Sequence, residues 1–301
     1  SPSVGLYTSS LGNPNLGWET TNSLNLGIDF ELLSSRVSGS VDYYLSKTHD
    51  LLLRESIPSM SGFTSILRNI GETQNNGFEL SLNTRNLRLK NFTWTSDITF
   101  SLNRNKIVHL TGQDLNKDGK EDDDVASGWF IGHPLGSNFD YVFDGIFQQG
   151  DDFSTMPNAK PGYIRFKDIN GDGAITPDDR KVISSSQPDF VAGITNTFTY
   201  KQLSLSAFIY TRQGGESPHS SLNPGTNFYY YTNILDVPYW TPQNPIKTNP
   251  GINYPNPLGY GFYQSRSFVR LQDVSLSYDI SPDMLKKIHL NSLQVFVSGK
   301  N

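Results

Sequence analysis

The chain has 301 residues, 36% of them hydrophobic, with no cysteine and a formal net charge of −5. Without cysteine there is no disulfide scaffold and no thiolate metal site, and without a basic run or patch a nucleic-acid partner is disfavoured. An aromatic content of 12%, with 26 glycines and 17 prolines, suits strands joined by irregular loops better than helices. No stretch approaches the ~18–20 apolar residues of a membrane helix, and no leader pattern opens the sequence. A transmembrane β-barrel escapes both tests, because its signal is alternation and not bulk hydropathy.

Alternation is what the sequence carries. Residues 21–32 place Leu24, Leu26, Ile28, Phe30 and Leu32 on one face, with Ser23, Asn25, Asp29 and Glu31 on the other. Residues 36–46 set Val37, Val41, Tyr43 and Leu45 against Ser38, Ser40, Asp42 and Ser46. Residues 77–85 and 92–105 repeat the pattern through Phe78, Leu80 and Leu82, then Trp94, Ile98, Phe100 and Leu102. Period two sustained this long predicts strands with one apolar and one polar face. Four later segments, 189–200, 203–212, 267–280 and 293–299, fit less cleanly. The third changes phase between Leu271 and Val274, as a β-bulge does. Eight strands are predicted in all.

Short and long connections alternate between them. The short ones are "SSR" (34–36), "NLRLKN" (86–91), "KQ" (201–202) and "SPDMLKKIHLN" (281–291), the last long enough for one helical turn. The long ones run over about 49–75, 107–188 and 214–266. In an antiparallel barrel this puts every turn on one rim and every long loop on the other, the layout of outer-membrane barrels. Tyr43, Tyr44, Phe92, Trp94, Tyr200, Phe268 and Tyr278 lie near strand ends, where interfacial aromatics are expected. A soluble β-sandwich also alternates, but its turns recur every ~8–12 residues and it rarely carries such loops. Eight strands leave two open edges, so the chain reads as part of a larger barrel.

Several ordered motifs resemble the SusC/RagA family of TonB-linked outer-membrane transporters of Bacteroidetes. They are "LGNPNLGWETTNSLNLGIDF" (11–30), "SGSVDYYLSKTHDLLL" (38–53), "NIGETQNNGFELSLNTRN" (69–86), "GHPLGSNFDYVFDGIFQ" (132–148), "PGYIRFKDINGDGAITPDDRKVI" (161–183), "QPDFVAGITNTFTYKQLSLSAFIY" (187–210), "YWTPQNP" (239–245) and "LQVFVSGKN" (293–301). The resemblance implies an all-β transmembrane antiparallel barrel, 22-stranded when complete, with residues 1–301 as a C-terminal part of it. The TonB box, N-terminal extension and plug of that family have no counterpart here. It further implies a SusD-like surface lipoprotein and TonB as partners, outer-membrane lipid as surroundings, and glycan or peptide nutrients as cargo.

Two acidic loops lie within the connection 107–188. Read as a twelve-residue calcium loop, 168–179 puts Asp168, Asn170 and Asp172 at positions 1, 3 and 5, Gly173 at 6, the Ala174 carbonyl at 7, Thr176 at 9 and Asp179 at 12. Alternating oxygen ligands around a glycine turn suit a hard cation. Asp179 departs from the usual bidentate Glu, and "PGYIRF" before it reads as a strand, so the expected role is a helix-free structural staple for a loop with little core of its own. The competing reading is a set of Asx-turns that cap their own backbone. A weaker second site is offered by Asp114, Asn116, Asp118 and Asp122, with Val125 at position 12 and Asp123 or Asp124 as substitute closers.

The loop 214–266 carries Tyr229, Tyr230, Tyr231 and Trp240, flat rings with polar tips that suit a sugar or an interface, or that pack the loop against itself. Arg212 and Arg270 are candidates to meet a polar substrate from the lumen. The five histidines lack metal spacing, and no nucleophile or phosphate-binding motif is present, so no enzyme is expected. The function expected is nutrient import through an outer-membrane barrel; the alternative is a secreted, calcium-stabilised carbohydrate-binding β-domain.

Overall fold

The computed structural model describes residues 11–57, 60, 62–219, 236–281, 285 and 290–301. Its strands are β1 (Thr20–Leu32), β2 (Val37–Ser56), β3 (Ser65–Arg88) and β4 (Phe92–His109), then the short β5 (Ser137–Asp140), β6 (Phe143–Ile146), β7 (Ile164–Phe166) and β8 (Lys181–Ser185). They continue with β9 (Phe190–Tyr200), β10 (Leu203–Gln213), β11 (Glu216–Pro218), β12 (Tyr263–Ser265), β13 (Phe268–Asp279) and β14 (Gln294–Lys300). The eight predicted segments all join one antiparallel sheet, ordered β1-β2-β3-β4-β9-β10-β13-β14, with β1 and β14 as its edges.

Register fixes which face each residue takes, since a one-residue slip inverts every side chain. Ile28 lies opposite Val41, Val41 opposite Leu80, Leu80 opposite Phe100. Farther along, Ile98, Ile194, Ile209 and Leu271 form a second apolar row. This face is bare: Ile28 is 69% exposed and Val269 70%. The other face carries Asp29, Asp42, Glu79, Thr99, Ser206 and Ser275, on the opposite phase of the same register. Among the described residues, the buried hydrophobic side chains lie in the long connections and their short strands, apart from Ile107 near the end of β4 and Leu285. A soluble sandwich buries the apolar face of its sheet; this sheet leaves it bare.

Polar groups on the apolar face satisfy one another, as a lipid-facing surface requires. Asn196 Oδ1 accepts from Trp94 Nε1 (3.0 Å) and Ser96 Oγ (2.7 Å), Ser96 Oγ accepts from Asn86 Nδ2 (2.6 Å), and Asn86 Oδ1 accepts from Thr84 Oγ1 (3.0 Å). Gly39 leaves room for the Phe30 ring, which lies 3.1 Å from where a Cβ would stand.

The phase change in β13 is a bulge: Phe208 pairs with Asp273 and Ile209 with Leu271, leaving Gln272 as the extra residue. One expectation is corrected. The connection expected over 49–75 is mostly strand, because β2 runs on to Ser56 and β3 begins at Ser65. Pairing continues past register shifts at Leu51, so backbone hydrogen bonds hold the hairpin where side-chain alternation has lapsed. The predicted helical turn at 281–291 lies largely outside the described residues.

Candidate functional site

The loop end of the sheet carries a folded body of its own, and this is the second correction. Tyr141, Ile146, Ile164, Phe166, Tyr254 and Phe262 form a buried cluster, extended by Met156, Tyr163, Ile175, Trp240, Leu258 and Tyr260. Those residues come from both long connections, which therefore share one core. Each fully buried apolar side chain stabilises by about 1.5–3 kcal/mol, enough to hold loops that have little regular structure.

Asp140 ties the two connections together. Its carboxylate, 7% exposed, accepts from the Tyr141 amide (2.8 Å), the Gly261 amide (3.0 Å) and the Tyr263 hydroxyl (3.0 Å). Sequence reasoning missed it. Its only local signal is an acid set among aromatics in "NFDYVFD". Gly162, at φ +91°, packs its backbone against the face of Trp240, whose ring carbon lies 2.5 Å from where a Cβ would stand. The indole Nε1 donates to Gln148 Oε1 at 3.0 Å. Trp240 is thus fixed on both sides, and it walls a groove of about 430 Å3 with Lys160, Tyr163, Asn253 and Tyr254.

The twelve-residue loop is organised around its own amides. Asp168 accepts from Gly171 (2.7 Å) and Gly173 (2.8 Å), Asn170 from Asp172 (3.0 Å), and Asp172 from Ala174 (2.9 Å). Thr176 caps the 3-10 turn Pro177–Asp179. Asp179, with no exposed surface, closes the loop by accepting from Ile169 (2.8 Å), Asn170 (3.5 Å) and Thr176 (2.7 Å). Burial pushes its carboxyl up, but the amides of Thr176, Ile169 and Asn170 outweigh this and hold it below the ordinary aspartate value. The Asx-turn network is therefore present. Among the described residues, no three His, Cys, Asp or Glu side chains converge as a metal-holding group.

The second acidic loop repeats the pattern and ends sooner. Asp114 accepts from Asp118 (3.1 Å) and Gly119 (3.0 Å), Asn116 from Asp118 (2.9 Å), and Asp118 from Lys120 (2.8 Å). Asp122 then accepts from Leu115 at 2.6 Å, as Asp179 does from Ile169, so this loop closes at its ninth position. Asp123 and Asp124 instead accept from Ile131 and Ser127. A twelve-residue template could not find that closure.

Arg212 lies on the polar face of β10 and donates from Nη2 to the Ser186 carbonyl (2.7 Å), while its buried Nε has no hydrogen-bond partner. Arg270 stacks its guanidinium over Phe268 at 4.5 Å. Tyr229, Tyr230 and Tyr231 lie outside the described residues. Lower on the polar face, Asp42, Glu79, Ser81, Ser101 and Tyr210 line a shallow pocket of about 290 Å3.

Burial first, and the Asp140 charge second, raise the Tyr260 hydroxyl to about 12, and the same two influences push Tyr263 upward. A raised folded-state value adds stability that is complete below the unfolded value of 10.0 and lost as pH climbs through 12. The loop body is therefore expected to loosen between pH 10 and 12, with tyrosinate absorbance rising cooperatively. Gradual ionisation from pH 10 upward, as for free tyrosine, is the contrary result.

Comparison with known proteins places these features. The family described as "TonB dependent receptor-like, beta-barrel" matches residues 2–301. TonB-dependent receptor P3 of Formosa agariphila is 34% identical over 318 residues, covering 99% of this chain and 31% of its own length. TonB-dependent receptor SusC of Bacteroides thetaiotaomicron is 32% identical over 226 residues, covering 73% of this chain and 20% of its own length. A structure of the RagAB peptide transporter superposes with a TM-score of 0.76 at 24% identity, covering 99% of this chain and 33% of that one. The chain spans about a third or less of these relatives.

Proposed function

The chain belongs to the TonB-dependent receptor-like β-barrel family, and we propose that it supplies eight strands and the loop body of an outer-membrane importer of oligosaccharide or peptide nutrients. Its family places it in the outer membrane. The observation that carries the proposal is a bare apolar face: the sheet leaves Leu26, Ile28 and Val269 exposed and sets carboxylates and hydroxyls on the other face. That polar face is the wall past which cargo moves, and the loop body forms the outer vestibule. Trp240 and its groove, with Arg212 at the rim, are the proposed contacts for cargo or for a SusD-like lipoprotein lid. TonB supplies the energy through parts of the longer protein. A secreted carbohydrate-binding domain is not favoured, since its apolar sheet face would have to be buried.

The test is uptake by cells carrying the intact protein, with labelled oligosaccharides and labelled peptides supplied in parallel. TonB-dependent accumulation of one class supports import and names the class. A purified protein that is monodisperse without detergent, and cells that accumulate neither class, would sink it.

Calcium belongs to this reading as a loop stiffener. Each carboxylate offers about four lone-pair sites, so the amide bonds to Asp168, Asp172 and Asp179 leave oxygen capacity toward a hard cation. Asn170, the Ala174 carbonyl and Thr176 complete the proposed set, and Asp114, Asn116, Asp118 and Asp122 form the shorter one. Calcium is expected to raise the protease resistance of residues 107–188 in the intact protein, and Asp172→Ala is expected to abolish the gain at the longer loop. Equal resistance with calcium and with chelator would remove the ion from the account.

A further inference from the structure

The turn end of the sheet carries a row of exposed cations. Arg36, Arg88, Lys90 and Lys201 stand exposed at three successive turns along that rim. None of the four forms an ion pair among the described residues, whereas Lys47, Arg68, Arg104 and Arg165 toward the loop end all do. Among the described residues, the acids nearest the rim are Glu31, which accepts from the Ser35 hydroxyl, and Asp279, which accepts from Gln294 Nε2. Arg36 Nη2 donates to the Asn86 carbonyl, which joins two of the turns, and Lys201 Nζ rests 5.6 Å from the Tyr200 ring centroid.

Directly inward of these cations, on the apolar face, lie Trp94, Tyr200 and Tyr278. Trp94 is opposite Phe198, and Leu203 is opposite both Tyr200 and Tyr278. All three rings are partly exposed. Amphipathic rings of this kind settle at the boundary between hydrocarbon and headgroups. The vertical order on the outside of the sheet is then apolar band, aromatic belt, unpaired cations. Cations one step beyond an aromatic belt are placed at headgroup depth, where anionic lipid attracts them.

We propose that this rim is a lipid-binding collar that recruits anionic phospholipid headgroups in the leaflet facing the turns. The proposal rests on the barrel reading above. Arg36 and Arg88 present planar forks to a phosphate, and Lys90 and Lys201 present point charges beside them.

The experiment uses the intact protein reconstituted in phosphatidylcholine vesicles with and without phosphatidylglycerol. The readout is the phosphatidylglycerol retained after mild detergent extraction, measured by native mass spectrometry. Wild type is expected to retain it at low salt and release it as salt rises, because exposed charges are screened within about 10 Å at 0.1 M. Retention should fall on the order of fivefold for each cation removed by Arg36→Gln, Arg88→Gln, Lys90→Gln or Lys201→Gln. Lys181→Gln, at the loop end, should change nothing. If the fourfold variant does not assemble, the single variants carry the same readout. Undiminished retention in the variants overturns the collar, as does a loss of uptake with retention unchanged, which assigns the rim to a protein partner. Wild type that enters neither vesicle refutes the barrel reading; entry into both without enrichment refutes only the collar.

Discussion

Ile28→Arg is expected to abolish accumulation of the folded protein in the outer membrane. Ile28 stands mid-strand in β1, 69% exposed, in the apolar row that runs through Val41 and Leu80. A cation on the lipid face near mid-depth costs roughly 2–4 kcal/mol in a barrel, a large share of a typical folding margin. Asp29→Arg moves the same side chain to the neighbouring residue and the polar face, where water solvates it, and should accumulate normally. The pair separates the two functional classes without knowledge of the cargo. Folded protein is scored by the mobility of unheated samples in detergent gels and by resistance to urea. Normal accumulation of Ile28→Arg would mean that this face meets water or protein and would sink the membrane placement.

Phe166→Ala is expected to unfold the loop body while the sheet persists. Phe166 is 3% exposed and packs its ring 5.2 Å from Tyr141 and 5.3 Å from Tyr260, so it joins strand β7 to both long connections. Truncating a buried Phe to Ala costs about 3–5 kcal/mol through lost transfer energy and the cavity left behind. The body holds a small core that is separate from the sheet, so a loss of this size falls on it locally. Amide exchange should rise across 137–185 and 240–264 with β1 to β4 unchanged. Asp140→Ala should give the same pattern, since the amides of Tyr141 and Gly261 and the Tyr263 hydroxyl all lose their acceptor. Uniform exchange across loops and sheet would show instead that the two parts fold as one unit.

The sequence by itself determined the sheet. Its eight strands, the turns at 34–36 and 201–202, and the bulge at Gln272 are legible because solvent differs across the sheet and side chains alternate between the two environments. Where that contrast ends, so does the signal: residues 51–56 and 65–76 are strands that alternation did not announce, held by backbone pairing above the apolar band. The spacing of Asp168, Asn170, Asp172 and Asp179 was legible too, because a loop of Asx-turns is closed by residues within twelve positions of one another.

The tertiary structure alone decided the loop body. Asp140 meets Gly261 and Tyr263 across more than a hundred residues, Gln148 meets Trp240 across ninety-two, and no period links them. Closure of the shorter acidic loop at Asp122 was hidden for a related reason, since an amide at Leu115 and not a sequence template selects the carboxylate. Alternation names two faces; the tertiary structure adds that Ile28 and Val269 stay bare on the apolar one, as a lipid-facing surface requires.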